Sequence, residues 1–304
     1  MNPLIFDIQR SSLVDGPGIR TTVYFKGCNL DCRWCHNPES KSAVRQIALF
    51  EEKCTGCGVC KEVCLEPAEC KACGECALYC AYGARKVYGK QYSVSELVDI
   101  IAKDKNLYDR SGGGATFSGG ECMLYPDFIA ALASECKQNG ISVAIDTAGC
   151  VEWSSFERVL PFVDIFLYDI KCIDEELHRK FTGKGNGLIL ENFERLTKTD
   201  KRIIVRVPVI PYFNEGEQME KIRDYLARFR VEKVEYLPYH DMGEGKKNAL
   251  LFAKTAASFL IWERIISPFW YSCSARSRAF ADTAPSEIPT EYMNTQRVRC
   301  LVRK

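Results

Sequence analysis

The chain has 304 residues, 46% of them apolar and 27% charged, which is ample for a full hydrophobic core. A formal net charge of +1 excludes the broad basic field that holds nucleic acid, so recognition must come from a built site. No run approaches the roughly 20 apolar residues of a membrane helix, and the polar start lacks the layout of a secretion signal; a cytoplasmic protein with no membrane partner is expected.

In chain order, Arg20 to Gly27 (RTTVYFKG) is β-branched and aromatic and reads as a strand that runs into the first cysteines. From Glu51 to about Lys90 the sequence turns short, turn-rich and cysteine-dominated, the mark of a small insert folded around metal. Strand-like segments then follow near Ala115, Ser142, Asp164, Arg202 and Val234. Helix-like segments such as Tyr125 to Asn139 and Glu215 to Phe229 lie between them. Strict alternation implies parallel strands with right-handed crossovers, hence an α/β sheet or open barrel. In either architecture ligands bind at the C-terminal strand ends. Polar motifs do close the apolar runs: Gly119-Gly120-Glu121, Asp146-Thr147, Asp169 with Lys171, Arg206 and His240.

Cysteine is out of scale at 17 residues, and eleven of these fall between Cys28 and Cys80. Such close, regular spacing suggests metal more than a disulfide framework. Cys28, Cys32 and Cys35 form C-x3-C-x2-C with no obvious fourth thiolate. A cubane cluster has four iron corners, so three protein ligands leave one iron open. Zinc is the rival, with His36 as fourth ligand, but adjacency to Cys35 makes a shared tetrahedron awkward. Cys54, Cys57, Cys60 and Cys64 form C-x2-C-x2-C-x3-C, and Cys70, Cys73, Cys76 and Cys80 repeat it. This is the two-cluster ferredoxin spacing, in which the fourth cysteine of each run ligates the other cluster. One cluster then takes Cys54, Cys57, Cys60 and Cys80, and the other Cys70, Cys73, Cys76 and Cys64. Fully ligated clusters carry electrons; a purely structural role, giving the insert a core, is the alternative.

The loop GCNLDCRWCHNPE, preceded by DGPGIR, resembles the radical S-adenosylmethionine superfamily, specifically the activating enzymes of glycyl-radical enzymes, and the likeness covers nearly all of Asn2 to Gly245. The resemblance implies a partial (β/α)6 barrel formed by residues 1–50 and 87–248, with residues 51–86 as an inserted ferredoxin-like domain. It implies three [4Fe–4S] clusters, S-adenosylmethionine at the Cys28, Cys32 and Cys35 cluster, and a possible monovalent cation. The 5′-deoxyadenosyl radical would take hydrogen from a backbone glycine of a partner enzyme, with flavodoxin or ferredoxin as electron donor and the chain a monomer. The insert favours dehydratase, decarboxylase or lyase partners over pyruvate formate-lyase.

By the same resemblance, Gly119, Gly120 and Glu121 would meet the methionine amino group, Asp146 the cofactor or a cation, and Lys171 the methionine carboxylate. Asp169 would lie near the cation or sugar, His240 near ribose or adenine, Trp34 beside adenine, and Arg206 on a cofactor carboxylate or substrate carbonyl. Asp15 would hold the substrate peptide. Plainer readings stand beside these: a turn with a surface Glu at 119–121, a helix N-cap at Asp146-Thr147, a structural ion pair for Arg206, a core aromatic for Trp34. His178 reads as a surface residue. Cys122 replaces the family's usual proline and has no assigned role. Residues 249–304 depart from the pattern and read as a divergent tail or the product of a frame change. A maturase that modifies cysteine or serine in a partner, and a ferredoxin fused to an inert α/β domain, are the competing functions.

Overall fold

The computed structural model describes residues 2–64 and 70–250. The expected tail therefore lies outside the described residues from 251 onward.

Strand β1 (Leu4–Ser12) runs antiparallel to β2 (Arg20–Phe25). After β3 (Gln46–Leu49), the short helices α1 (Val59–Glu62) and α2 (Glu75–Leu78) carry cysteines of the insert. The chain returns through β4 (Arg85–Tyr88), which pairs antiparallel with β3, and the two-residue β5 (Lys90–Gln91). There follow α3 (Val94–Ala102), α4 (Lys105–Ser111), β6 (Gly114–Gly119), α5 (Pro126–Gln138), β7 (Ser142–Thr147) and α6 (Trp153–Val159). The last elements are β8 (Ile165–Asp169), α7 (Glu175–Thr182), α8 (Gly187–Leu196), β9 (Arg202–Val209), α9 (Glu217–Leu226), β10 (Lys233–Pro238) and α10 (Met242–Ala249).

The main sheet has the order β10-β9-β8-β7-β6-β2-β1-β5. From β2 to β10 all neighbours are parallel, and each new strand is laid beside the one before it. Winding in one direction with right-handed crossovers sends every helix to the same face of the sheet. The period-two side-chain alternation sorts the residues accordingly. Val23, Phe25, Phe117, Val143, Ile145, Phe166, Val205 and Val207 face the helices and join Leu97, Ile129, Leu132, Phe156, Phe193 and Ile222 in the main core. The opposite face carries a small apolar plug of Ala144, Ile165, Leu167 and Ile204, with polar residues above it.

Helix starts follow local chemistry. Ser93 accepts from the Glu96 amide while Glu96 accepts from the Ser93 amide at 2.7 Å, a capping box at α3. Asp174 caps α7 by accepting from Leu177 N at 2.8 Å.

Strict alternation of β and α is corrected at the N-terminal edge, where β1 and β5 are antiparallel additions. His178 is corrected too: it is buried, its Nδ1 2.6 Å from the Lys184 carbonyl oxygen, because it stands one helical turn before Thr182 on the inward face of α7. Among the described residues no helix is long and apolar enough to cross a membrane.

Candidate active site

The face of the sheet opposite the helices is built upward from Arg20. This guanidinium is fully buried and donates to Thr116 Oγ1 at 2.7 Å and to the carbonyls of Ala115 and Ser142 at 2.6 and 3.2 Å. It also donates to Pro17 O at 3.2 Å, which pins the DGPG turn to the floor of the sheet. Asp15 is buried beneath that turn. Its Oδ2 accepts from Ser12 Oγ at 2.6 Å, Thr22 Oγ1 at 2.8 Å and the Tyr24 hydroxyl at 3.0 Å, while the adjoining Leu13 and Val14 are 74% and 72% exposed.

Above the apolar plug lies a charged layer. Asp146, at the end of β7, accepts from Ser118 Oγ at 2.7 Å, and Arg206 Nη1 lies 3.2 Å from its Oδ2. Asp146 is thus a strand residue facing inward, not a helix cap. Arg206 sits inside β9, three residues short of its end, in register with Asp169 at the end of β8. Lys171 donates to Asp169 Oδ2 at 2.5 Å and is buried. Burial works against the Lys171 ammonium, yet Asp169 and Cys32 beside it raise its pKa, so it stays charged. Arg206 is held charged above all by Asp146. Its Nη1 is misaligned for a hydrogen bond, and its buried Nε and Nη1 reach no acceptor.

The cysteine loop follows β2 at the mouth of this face. Burial pushes the Cys28 thiol up to about 12 and the Cys32 thiol to about 11, and it raises Cys35 as well. Three thiolates on one short, half-buried loop need cationic partners, which is what iron supplies. Among the described residues no three His, Cys, Asp or Glu side chains converge tightly enough to share one ion.

The Gly-Gly-Glu segment braces this loop. A Cβ on Gly120 would stand 2.2 Å from the Gly27 carbonyl oxygen, and Glu121 N donates to that oxygen at 2.8 Å. The close approach at Gly120 is therefore to the chain's own backbone, one residue before Cys28. Glu121 is buried; its Oε1 accepts from Thr147 Oγ1 at 2.8 Å and Met123 N at 3.1 Å, and its Oε2 from Ala148 N at 3.0 Å. Its carboxylate staples the loops after β6 and β7. The surface-Glu reading is overturned by that burial.

A sequence profile of the radical SAM superfamily matches residues 71–226. The trans-4-hydroxy-L-proline dehydratase activating enzyme of Clostridioides difficile is 45% identical over 263 residues, covering 81% of this chain and 87% of the relative. The choline trimethylamine-lyase activating enzyme of Oleidesulfovibrio alaskensis is 38% identical over 81% of this chain and 86% of its own length. The (2S)-3-sulfopropanediol dehydratase activating enzyme of Klebsiella oxytoca is 37% identical over 81% and 85%. This chain belongs to the radical SAM superfamily.

It is a radical SAM enzyme of the activating-enzyme class, and two supports of its cysteine loop were not legible in the sequence. Helix α10 lies across the loop: a Cβ on Gly243 would stand 2.5 Å from Cys35 O, and Lys247 Nζ donates to Arg33 O at 2.8 Å. Lys246 Nζ reaches His36 O, Asn37 Oδ1 and the buried Glu39 Oε1 at 3.2, 3.0 and 2.9 Å. Lys26, fully buried, donates to Glu39 O and to Gln46 Oε1. His36 stacks on His240 with ring centroids 3.8 Å apart; burial, then the neighbouring His240, lowers its pKa to about 4 and keeps it neutral. Trp34 packs on Phe213 at 4.6 Å, in a cluster with Cys172, Ile210 and Phe181. Cys122 is a buried donor to Phe117 O at 3.3 Å. Gly243, three residues after His240, is the signal that could have pointed to the α10 brace.

Within the insert the backbone repeats with the cysteines. Gly56 and Ala72, sixteen residues apart, both have positive φ (72° and 52°), and α1 and α2 each start from a left-handed glycine, Gly58 and Gly74. Cys54, Cys57, Cys70 and Cys73 are exposed, Cys60, Cys64 and Cys80 half-buried, and Cys76 buried.

Proposed function

We propose that this chain reductively cleaves S-adenosylmethionine and directs the resulting radical to a backbone glycine of a partner glycyl-radical enzyme. The observation that carries the reading is the pairing of three half-buried thiols on one loop with a charged layer beside it, in which Arg206 keeps buried donors unused. Cys28, Cys32 and Cys35 would hold the open-cornered [4Fe–4S] cluster. That cluster and S-adenosylmethionine together supply the electron and the 5′-deoxyadenosyl radical.

The protein's part is binding, orientation and exclusion of water. Arg206 and Lys171 offer donors to a carboxylate, and the backbone of Gly119 and Gly120, braced by Glu121, offers carbonyls to an ammonium. Asp146 and Asp169 hold those cations in place and suit a monovalent cation between them. Trp34 and His240 would flank adenine and ribose. Asp15 and the exposed Leu13-Val14 rim would receive the glycine-bearing peptide.

The insert, residues 51–86 on the β3–β4 stem, would fold as a ferredoxin-like domain with two further clusters. Its support is the sixteen-residue repeat in cysteines and in backbone conformation. A flavodoxin or ferredoxin would deliver the electron to a monomeric, cytoplasmic enzyme. A dehydratase-type partner fits the 45% identical relative best. The test is to incubate anaerobically reconstituted, reduced protein with S-adenosylmethionine and a glycyl-radical dehydratase. A glycine-centred signal in electron paramagnetic resonance is expected. A modified cysteine or serine in the partner, without that signal, would favour a maturase instead.

A further inference from the structure

Arg85 opens β4 opposite Leu49, the pair of the β3–β4 ladder nearest the insert. Its guanidinium faces sulfur. Nη1 lies 4.0 Å from Cys76 Sγ, and Cys60 packs in the same small cluster as Cys76. Its Nε is buried and reaches no acceptor. Cys60 and Cys76 occupy equivalent places in the sixteen-residue repeat and pack together against Ile47, Ala72 and Val87.

An arginine normally seeks a carboxylate fork. Here a cation with a spare donor stands beside one thiol of a packed pair. By the ferredoxin spacing rule those two thiols belong to different clusters, Cys60 with Cys54, Cys57 and Cys80, and Cys76 with Cys70, Cys73 and Cys64. Hydrogen bonds to the sulfurs and nearby charge set cluster potentials.

We infer that Arg85 is a redox-positioning residue shared by both insert clusters, its guanidinium donating to one thiolate of each. Reduction adds one electron from a low-potential donor protein to a cluster, with no bond made or broken. The cation stabilises the added negative charge on whichever cluster holds it. It therefore raises both potentials together. This inference rests on the two-cluster reading of the insert.

The test uses reconstituted protein carrying Cys28→Ala, Cys32→Ala and Cys35→Ala, so that only insert signals remain, followed by potentiometric titration with electron paramagnetic resonance. Iron and sulfide analysis comes first, and failure of the parent protein to load two clusters would overturn the two-cluster reading and this inference with it. With both clusters loaded, Arg85→Gln should move both midpoints to more negative potential, and Arg85→Lys should move them less. Two unmoved midpoints, or a shift in one alone, would overturn the role of Arg85 and leave the cluster reading intact. If Arg85→Gln fails to load, parent protein containing 15N-arginine decides. Pulsed resonance should then detect nitrogen coupling at each reduced cluster, and its absence at either refutes the shared contact.

Discussion

Gly120→Ala isolates the bracing of the cysteine loop. The φ of Gly120 lies outside the left-handed region, so alanine meets no backbone penalty, and the effect is steric. The added Cβ stands 2.2 Å from Gly27 O, 2.8 Å from Gly27 C and 3.0 Å from Ser40 O, where ordinary contact begins at 3.4 Å. The neighbouring backbone must retreat by about 1 Å, and backbone cannot swing aside as a side chain can. Overpacking of this kind costs about 1–3 kcal/mol. Loss of the Glu121 N to Gly27 O bond adds about 1 kcal/mol. An apparent thermal midpoint at fixed scan rate should fall by roughly 5–15 °C. Because the retreat displaces the residue before Cys28, iron at the three-cysteine site should be lost first. Gly187→Ala is the control: nothing lies within 4 Å of its added Cβ at the start of α8, and it should be neutral or slightly stabilising. A Gly120→Ala protein with unchanged midpoint and full iron would refute the claim that this glycine exists for backbone contact.

Three further outcomes follow from the same geometry. Burial raises the Glu121 pKa from its ordinary 4.5 to about 7, so its protonated form stabilises the fold below pH 4.5 and that contribution is lost as pH rises through 7, up to about 3 kcal/mol. Glu121→Gln cannot titrate, so thermal midpoints measured from pH 5 to 8 should shift progressively in its favour; parallel profiles would mean that the three donors fully offset burial. Lys246→Ala leaves Glu39, 2% exposed, without its ammonium partner, at a cost of about 1–3 kcal/mol because Lys246 is itself 36% exposed; an unchanged midpoint would refute that pairing. Arg206→Met should raise the KM for S-adenosylmethionine roughly 10- to 100-fold, the loss of charged hydrogen bonds, and an unaltered KM would place the cofactor elsewhere.

The parallel part of the sheet was legible because each strand from β6 to β9 shows one apolar face to the helices and ends on a polar motif. Strand β1 was not, since among its residues only Ile5, Phe6 and Ser12 are buried and the two-residue β5 pairs with it only at Leu4 and Ile5, which leaves a weak pattern. The C-x3-C-x2-C spacing pointed to the radical SAM superfamily, to which the chain belongs. What escaped the sequence were contacts between distant segments: Gly120 on Gly27, Gly243 on Cys35, and the Lys26, Glu39 and Lys246 group behind the loop. Residue type alone marks a glycine as permissive; only the fold says which backbone it admits. The same holds for Glu121, whose carboxylate accepts from three donors of its own chain.

The division of labour among the cysteines is the central claim, and formation of 5′-deoxyadenosine by anaerobically reconstituted, chemically reduced protein tests it most directly. Cys32→Ala should abolish the product, whereas a folded Cys57→Ala protein should still form it with a chemical reductant. Product from Cys32→Ala, or its complete loss in folded Cys57→Ala, would contradict the account.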